Sequence, residues 1–281
     1  MQQIRKKKEL KKAVAECRRG EHSIGFVPTM GALHQGHLSL IKQCRHHDGI
    51  CIASNYVNPT QFNNKNDLRN YPRDPEKDYK LLENAGCDIL FFPDDQEMYP
   101  EKDSRSFDFK EMGSVMEGKY RPGHFNGVAQ IVTKLFDAVT PDRAYFGNKD
   151  FQQLAIIRKL VHDLEYPIEI IGCPIIREPD GLAMSSRNQL LSPDQREAAP
   201  LIYETLKKAR DLFPGGKISD IEKFVEKQIN NNPFLKLEYF QFVDAETLKQ
   251  LRQPTSNLSV QACIAVFAGS VRLIDNIEII S

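Results

Sequence analysis

The chain has 281 residues, enough for one large domain or two unequal ones, each with its own buried core. Lys plus Arg number 38 and Asp plus Glu number 38, so the formal net charge is zero and no excess basic field exists to hold a nucleic-acid backbone. Hydrophobic residues at 41% and charged residues at 27% exclude the low-hydropathy, high-charge composition of a disordered chain.

The opening segment, MQQIRKKKELKKAVAECRRG, is basic but lacks the roughly 7 to 15 apolar residues of a secretory signal. Its Leu10, Ala13, Val14 and Cys17 fall at helical spacing, which predicts an amphipathic first helix with the RKKKELKK run as its solvated face. No stretch approaches the roughly 18 apolar residues that a membrane span needs, so no membrane association is expected. Cys17, Cys44, Cys51, Cys87, Cys173 and Cys263 are scattered singly with no C-x-x-C pair, and they read as free thiols of a protein kept in a reducing cytoplasm.

From about residue 22 to 176, short apolar runs alternate with helical patterns. SIGFVP precedes HLSLIKQCRHH, GICIASNYV precedes PEKDYKLLENAG, and CDILFFP leads into a polar stretch. The series continues through GVAQIVTKLFDAV, RAYFG, DFQQLAIIRKLVHDL and PIEIIG. Strands covered on both faces by crossover helices read as continuous apolar runs, so the expected fold class is α/β, a doubly wound parallel Rossmann-like sheet. Beyond PIIREPDGLAMSSRNQLL the pattern changes to two helical stretches, SPDQREAAPLIYETLKKARDLF and ISDIEKFVEKQINN, followed by strand-like LKLEYFQFVD, VQACIAVFA and VRLIDNIEI. That order predicts a smaller C-terminal α+β domain. The expected division is 1–176 and 177–281, with Pro179 and Gly181 as turn formers at the junction. No internal repeat with a period of about 20 to 50 residues is visible.

The first strand-to-helix junction reads Pro28-Thr29-Met30-Gly31-Ala32-Leu33-His34-Gln35-Gly36-His37. Ligands of open α/β sheets bind beyond the carboxyl ends of strands, and the free N–H groups of a helix start suit anions. Gly31 and Gly36 permit close backbone approach, and His34 and His37 are spaced to face one side of the first helical turn. Three readings are open on spacing alone: two imidazoles facing phosphates, two polar surface residues, or half of a metal site. No third ligand at a recognisable spacing lies nearby to support the last.

The His34-Gln35-Gly36-His37 segment resembles the HIGH-type motif of the nucleotidyltransferase superfamily, and Met184-Ser185-Ser186-Arg187 stands where that superfamily carries its second, flexible loop. Within the superfamily the chain resembles the pantothenate synthetases, the ligases that condense pantoate with β-alanine using ATP. Further segments carry the resemblance: Asn58-Pro59-Thr60-Gln61-Phe62, Tyr71-Pro72-Arg73-Asp74, Arg121-Pro122-Gly123-His124-Phe125, Phe146 to Leu154, and Arg177 to Asn188. It implies that Met30, Gly31, Ala32, Leu33, His34, Gln35, Gly36 and His37 line the ATP site, with His37 as catalytic acid. Gly147, Asn148, Lys149, Asp150, Ile176, Met184, Ser185, Ser186 and Arg187 complete that site. Gln61 and Gln153 hold the hydroxyls and carboxylate of pantoate, Gln61 also lies close to β-alanine, Asn58 is a further polar contact, and Asp78 stands near Mg²⁺. Arg187 occupies a position where many relatives of the wider superfamily have lysine. A homodimer is implied in the same way.

The chemistry agrees with these residue types. A pantoate carboxylate is ionised at neutral pH, so attack on the α-phosphorus of ATP needs positioning and charge neutralisation rather than a strong base. Donors from His34, His37, Lys149, Ser185, Ser186 and Arg187 suit the charge that grows on the phosphates, with Mg²⁺ bridging oxygens. The pantoyl adenylate so formed hydrolyses readily, and a mobile Met184–Arg187 segment is expected to gate the site against water. β-Alanine must then attack as the neutral amine, a minor form at pH 7. Glutamine amides offer donors and an acceptor to a substrate with two hydroxyls beside its carboxylate. Without the resemblance, Gln61 and Gln153 read as loop and helix-surface residues, Lys149 and Asp150 as a helix start with Asp150 favourable to its dipole, and Ser185 and Ser186 as turn formers. Rival functions are another HIGH-type adenylyltransferase or cytidylyltransferase, and a non-catalytic nucleotide-sensing module. A class I aminoacyl-tRNA synthetase is disfavoured by the length and zero net charge.

Overall fold

The computed structural model describes residues 1–255 and 258–280. In chain order the elements are β1 (Gln2–Ile4), α1 (Lys7–Arg19), β2 (Ile24–Thr29), α2 (Gln35–His47), β3 (Ile50–Asn55), α3 (Lys65–Asn70), α4 (Pro75–Asn84), β4 (Ile89–Phe91) and α5 (Asp95–Met98). There follow α6 (Met116–Tyr120), α7 (His124–Val139), β5 (Arg143–Gly147), α8 (Phe151–Asp163), β6 (Glu169–Cys173), α9 (Pro193–Ala198), α10 (Leu201–Leu212), α11 (Ile218–Asn230), β7 (Leu235–Asp244), β8 (Val260–Ala268) and β9 (Val271–Ile280). The chain divides into two compact units. The first holds Met1–Phe109, Tyr120–Asn148 and Gln153–Pro174, and the second Lys110–Lys119, Lys149–Gln152 and Ile175–Ser281.

The first unit is built on a six-stranded sheet in the order β1-β4-β3-β2-β5-β6, every pairing parallel. This is the expected doubly wound α/β architecture. Ile24, Gly25, Phe26 and Val27 of β2 are all buried, as is β3 from Cys51 to Asn55, because helices cover both faces of the sheet. From β2 the chain steps to β3 and β4 on one side and then returns to place β5 on the other. The strand order therefore reverses between β2 and β5, the place at which open α/β sheets bind ligands.

Two devices hold the centre of this sheet. Asp48, at the end of α2 and 5% exposed, accepts from Arg143 Nη1 at 2.8 Å and from the Tyr145 hydroxyl at 2.6 Å, so it ties that helix to β5. Gly25 lets α2 lie close, since a Cβ there would stand 2.4 Å from Cys44 Sγ and 2.5 Å from Asp48 Oδ2.

The second unit carries the antiparallel sheet β7-β8-β9 with α10 and α11 packed on it. Its core joins Ile202, Leu206, Ile221 and Val225 of the helices to Phe242, Ile264 and Val266 of the strands. The expected smaller α+β domain is thus present.

Some element boundaries differ from expectation. The stretch 192–213 reads as one helical pattern but forms α9 and α10, because Pro200 has no N–H to continue the ladder of α9. Ser192 and Gln195 cap α9 reciprocally. β1 is unannounced: three residues at the sheet edge, of which only Ile4 is buried, give no periodicity to read.

Candidate active site

At the carboxyl end of β2 the chain makes a turn that an ordinary strand-to-helix connection does not require. Gly31 (φ +80°) and Ala32 (φ +50°) are both left-handed, and a Cβ on Gly31 would lie 2.6 Å from Asn55 Oδ1 and 2.9 Å from Asp78 Oδ2. The turn is held from a distance. Asp78, 2% exposed on α4, accepts the Ala32 N–H at 2.9 Å through Oδ2 and the Leu33 N–H at 2.8 Å through Oδ1, while Asn55 Nδ2 donates to Oδ2 at 3.0 Å. Thr29 Oγ1 donates to the Ser54 carbonyl at 2.7 Å and accepts the Gly31 N–H at 3.3 Å.

His34 caps α2: its Nδ1 accepts the Gly36 N–H at 3.1 Å, and His37 Nδ1 accepts the His34 N–H at 3.3 Å. The two rings stand 4.1 Å apart between centroids. A neutral imidazole that accepts through Nδ1 carries its proton on Nε2. Of the open alternatives for this pair, the geometry shows a helix start capped through both Nδ1 atoms.

Asp78, expected near Mg²⁺, instead has both carboxylate oxygens engaged by N–H donors. No group of three or more His, Cys, Asp or Glu side chains among the described residues is placed to hold a metal ion. The contact of Asp78 with the turn spans 46 positions, and nothing local in the sequence signals it.

Gln61 lies on the single turn Pro59–Gln61 and is 8% exposed. Its Nε2 is 3.1 Å from Met30 Sδ, and its Oε1 accepts from Asn58 Nδ2 at 3.1 Å. Asn58, 1% exposed, also donates to the Gly127 carbonyl at 3.1 Å and accepts from the Tyr99 hydroxyl at 2.7 Å. His124 Nδ1 meets the Gln61 carbonyl at 2.8 Å. The structure thus joins Met30, Asn58 and Gln61 in one buried polar cluster. A cleft of about 310 Å³ beside the turn is lined by Met30, Gly31, Asn55, Arg73 and Asp78 among others.

Beyond β5, Gly147 and Asn148 lie beside β6: a Cβ on Gly172 would come within 2.4 Å of Asn148 Oδ1. Gln153 is half-buried on α8 and makes no hydrogen bond with Gln61 among the described residues.

In the second unit, Lys149 and Asp150 lie in the helical turn Asn148–Asp150, Lys149 half-buried and Asp150 exposed. Next to Gln153, Gln152 is 4% exposed, donates to the Met112 and Val115 carbonyls at 2.8 and 2.9 Å, and accepts the Glu117 N–H at 2.9 Å. Ile176 and Met184 are joined by a 3.0 Å bond from the Met184 N–H to the Ile176 carbonyl. Ser185 Oγ then accepts the Arg187 N–H at 3.3 Å, and Ser186 is buried. The segment expected to be mobile is a hydrogen-bonded turn in this conformation.

All six cysteines are free thiols, and Cys44, Cys51, Cys87 and Cys173 share one apolar core in the first unit. Contacts with Cys44 and Cys87, together with burial, hold the Cys51 thiol well above its ordinary range, and burial pushes Cys173 up to about 11. No helix among the described residues is long and apolar enough to cross a membrane.

A parallel sheet with a histidine-bearing turn at its topological switch point is the arrangement of nucleotide-binding α/β proteins. Residues 2–278 match the model of the pantoate-beta-alanine ligase family. The chain is 52% identical to the pantothenate synthetase of Bacteroides thetaiotaomicron over 271 residues, 96% of each chain. It is similar to the crystal structure of pantothenate synthetase from Thermus thermophilus, with 41% identity, all of both chains covered and a TM-score of 0.93. It is also similar to a pantoate-beta-alanine ligase from Francisella tularensis complexed with beta-gamma ATP and beta-alanine, with 35% identity, 99% of this chain and 97% of that one covered, and a TM-score of 0.84. This chain belongs to the pantoate–β-alanine ligase family, and it is a ligase that forms an amide bond.

Proposed function

We propose that the chain condenses (R)-pantoate with β-alanine to give pantothenate, AMP and pyrophosphate through an enzyme-bound pantoyl adenylate, a step on the route to coenzyme A. The observation that carries this reading is the Met30–His37 turn, clamped by Asp78 and capped through the Nδ1 atoms of His34 and His37, at the switch point of a family member's sheet.

In the first step a pantoate carboxylate oxygen bonds to the α-phosphorus of ATP as the bond to pyrophosphate breaks. The carboxylate is already ionised, so the protein's task is to align it and to donate to the leaving charge. His34 and His37 do this by hydrogen bonding through Nε2, with His37, the expected catalytic acid, donating to the departing oxygen. Lys149, Ser185, Ser186 and Arg187 are assigned further phosphate donors on family resemblance, with Gly147, Asn148, Asp150, Ile176 and Met184 beside the nucleotide. Gln61, oriented by Asn58 and Met30, holds pantoate hydroxyl and carboxylate oxygens, and Gln153 a second set. In the second step the neutral amine of β-alanine bonds to the acyl carbon, AMP leaves, and the nitrogen sheds its proton.

Mg²⁺ enters as the complex with ATP, part of the substrate. The fit of Asp78 as its ligand is poor, since both oxygens already accept from N–H groups. A homodimer is proposed from the family resemblance, and a cytoplasmic location from the free, buried thiols.

Pantoate-dependent exchange of labelled pyrophosphate into ATP, measured without β-alanine, tests the adenylate. Exchange that requires pantoate and is at least tenfold weaker in Gln61→Ala is expected, in line with the cost of losing an aligned substrate contact (~1.4 kcal/mol or more). ATP binding with no exchange under any condition would contradict it and favour a nucleotide-sensing module. Exchange driven by a different acid would favour another adenylyltransferase.

A further inference from the structure

The second unit contains a buried polar cluster to which the proposed reaction assigns no role. Arg177 donates to Asp275 through both nitrogens, Nη1 to Oδ2 at 2.7 Å and Nη2 to Oδ1 at 3.0 Å. The same guanidinium donates to the Gly181 carbonyl at 3.1 Å and to the Asn276 carbonyl at 3.3 Å, and it stacks 3.5 Å over the Tyr203 ring. Asp275 also accepts the Asn276 N–H at 2.8 Å. Asn276 in turn has its amide fixed at both ends: Oδ1 accepts from Gln261 Nε2 at 2.6 Å, and Nδ2 donates to the Lys149 carbonyl at 2.9 Å. Asp275, Asn276 and Gln261 are 5%, 3% and 8% exposed.

Burying two amide side chains and an ion pair on a small sheet is costly unless every group is satisfied, and an apolar set of the same volume would stabilise β8 and β9 at least as well. What an apolar set could not do is hold two pieces of chain in register. The cluster ends on one side at the backbone of Lys149. On the other it ends at the hairpin in which Arg177 bridges Ala183 and the Met184 N–H meets the Ile176 carbonyl, immediately before Ser185–Arg187.

We propose that Asn276 is a positioning residue for Lys149, and that the Arg177–Asp275–Asn276 cluster sets Lys149 and the Met184–Arg187 turn in one fixed arrangement. This rests on the reading that Lys149 and that turn act on ATP. Asn276 touches no reacting atom. It fixes the carbonyl of Lys149 and thereby the start of a side chain whose ammonium must meet phosphate oxygens within a few tenths of an ångström. The Lys149 carbonyl can only accept, so Nδ2 and not Oδ1 of Asn276 faces it, and Gln261 Nε2 holds the other end of the amide.

A double-mutant cycle on the full-length enzyme tests this, using Asn276→Ala, Lys149→Ala and the pair, with KM for ATP, KM for pantoate, kcat and melting temperature read for each. Asn276→Ala is expected to raise KM for ATP about tenfold and to leave KM for pantoate unchanged, a split that a simple loss of folded protein would not produce. In the Lys149→Ala background the same change is expected to have no further effect on KM for ATP. Equal losses in both backgrounds, or wild-type ATP kinetics in Asn276→Ala beside an impaired Lys149→Ala, would overturn the positioning role alone. Full activity of Lys149→Ala would instead refute the assignment of Lys149 to ATP, and the proposal with it. Gln261→Met, which frees the Asn276 amide without removing it, gives a second measure should Asn276→Ala not fold. It is expected to raise KM for ATP about threefold, again only when Lys149 is present, and no change in it would count against the proposal.

Discussion

Two imidazoles stand 4.1 Å apart at the head of α2, and each uses Nδ1 as a backbone acceptor. His34 therefore caps the helix through Nδ1, and the proposed reaction gives it a second, separable duty, donation through Nε2. His34→Ala is expected to lower stability by about 1 kcal/mol in urea unfolding and to impair ATP turnover, whereas His34→Asn, a good cap with no outward imidazole donor, should restore the stability without the turnover. Recovery of both by asparagine would show that the ring acts only as a cap. The spacing of His34, Gly36 and His37 made this part of the site legible in the sequence, because the capping contacts join residues within a few positions. Asp78 was not legible in the same way. It reaches Ala32 across 46 positions, and only the packing of α4 against the turn reveals that its carboxylate serves two N–H groups.

At the scale of elements, α7 holds its neighbours through close approach and through a strap. Gly127 lies against the Pro59–Gln61 turn so tightly that a Cβ would come 2.4 Å from the Thr60 carbonyl oxygen. Gly127→Ala is expected to cost about 1 to 3 kcal/mol and to weaken pantoate binding, read as lower stability and a raised KM for pantoate, because relief requires moving the backbone beside Gln61. Unchanged values of both would show that α7 and the turn are loosely packed. The strap is Asp103–Arg105, which meets Lys134 and the Gln130 carbonyl of α7. The paired hydrogen bonds from Arg105 hold the Asp103 carboxyl well below the usual carboxylate range, even though burial opposes them. A carboxylate depressed in the folded state contributes stability that is full above its unfolded value, about 4, and is lost as pH falls toward the folded one. Asp103→Asn should thus lower stability by about 1 kcal/mol at pH 7, a modest figure because Arg105 is 43% exposed, and the gap should narrow progressively as the pH falls below about 4. A gap independent of pH would assign the effect to packing. The parallel strands and long helices were legible as apolar runs and periodicity, whereas the break at Pro200 and the edge strand β1 depend on one backbone N–H and on three residues.

For the whole molecule, a net charge of zero and a parallel sheet were readable from composition and alternation, and both agree with an enzyme of small anions rather than of nucleic acid. The assignment of chain segments to the two units was not readable. Lys110–Lys119 belongs to the second unit because Glu117 accepts from Arg272 Nη1 and Nη2 at 2.7 Å each and from the Tyr239 hydroxyl at 2.9 Å, and Gln152 holds its backbone. These partners lie 122 and 155 positions away, beyond the reach of any local pattern. The central claim is that a histidine turn on this scaffold drives an amide-forming ligation. Pyrophosphate release from MgATP should be sustained only when pantoate and β-alanine are both present, and His37→Ala should reduce it by about 100-fold or more, the scale of losing a preorganised donor to a leaving group. Release at the wild-type rate in His37→Ala, or no release with both substrates present, would contradict the account.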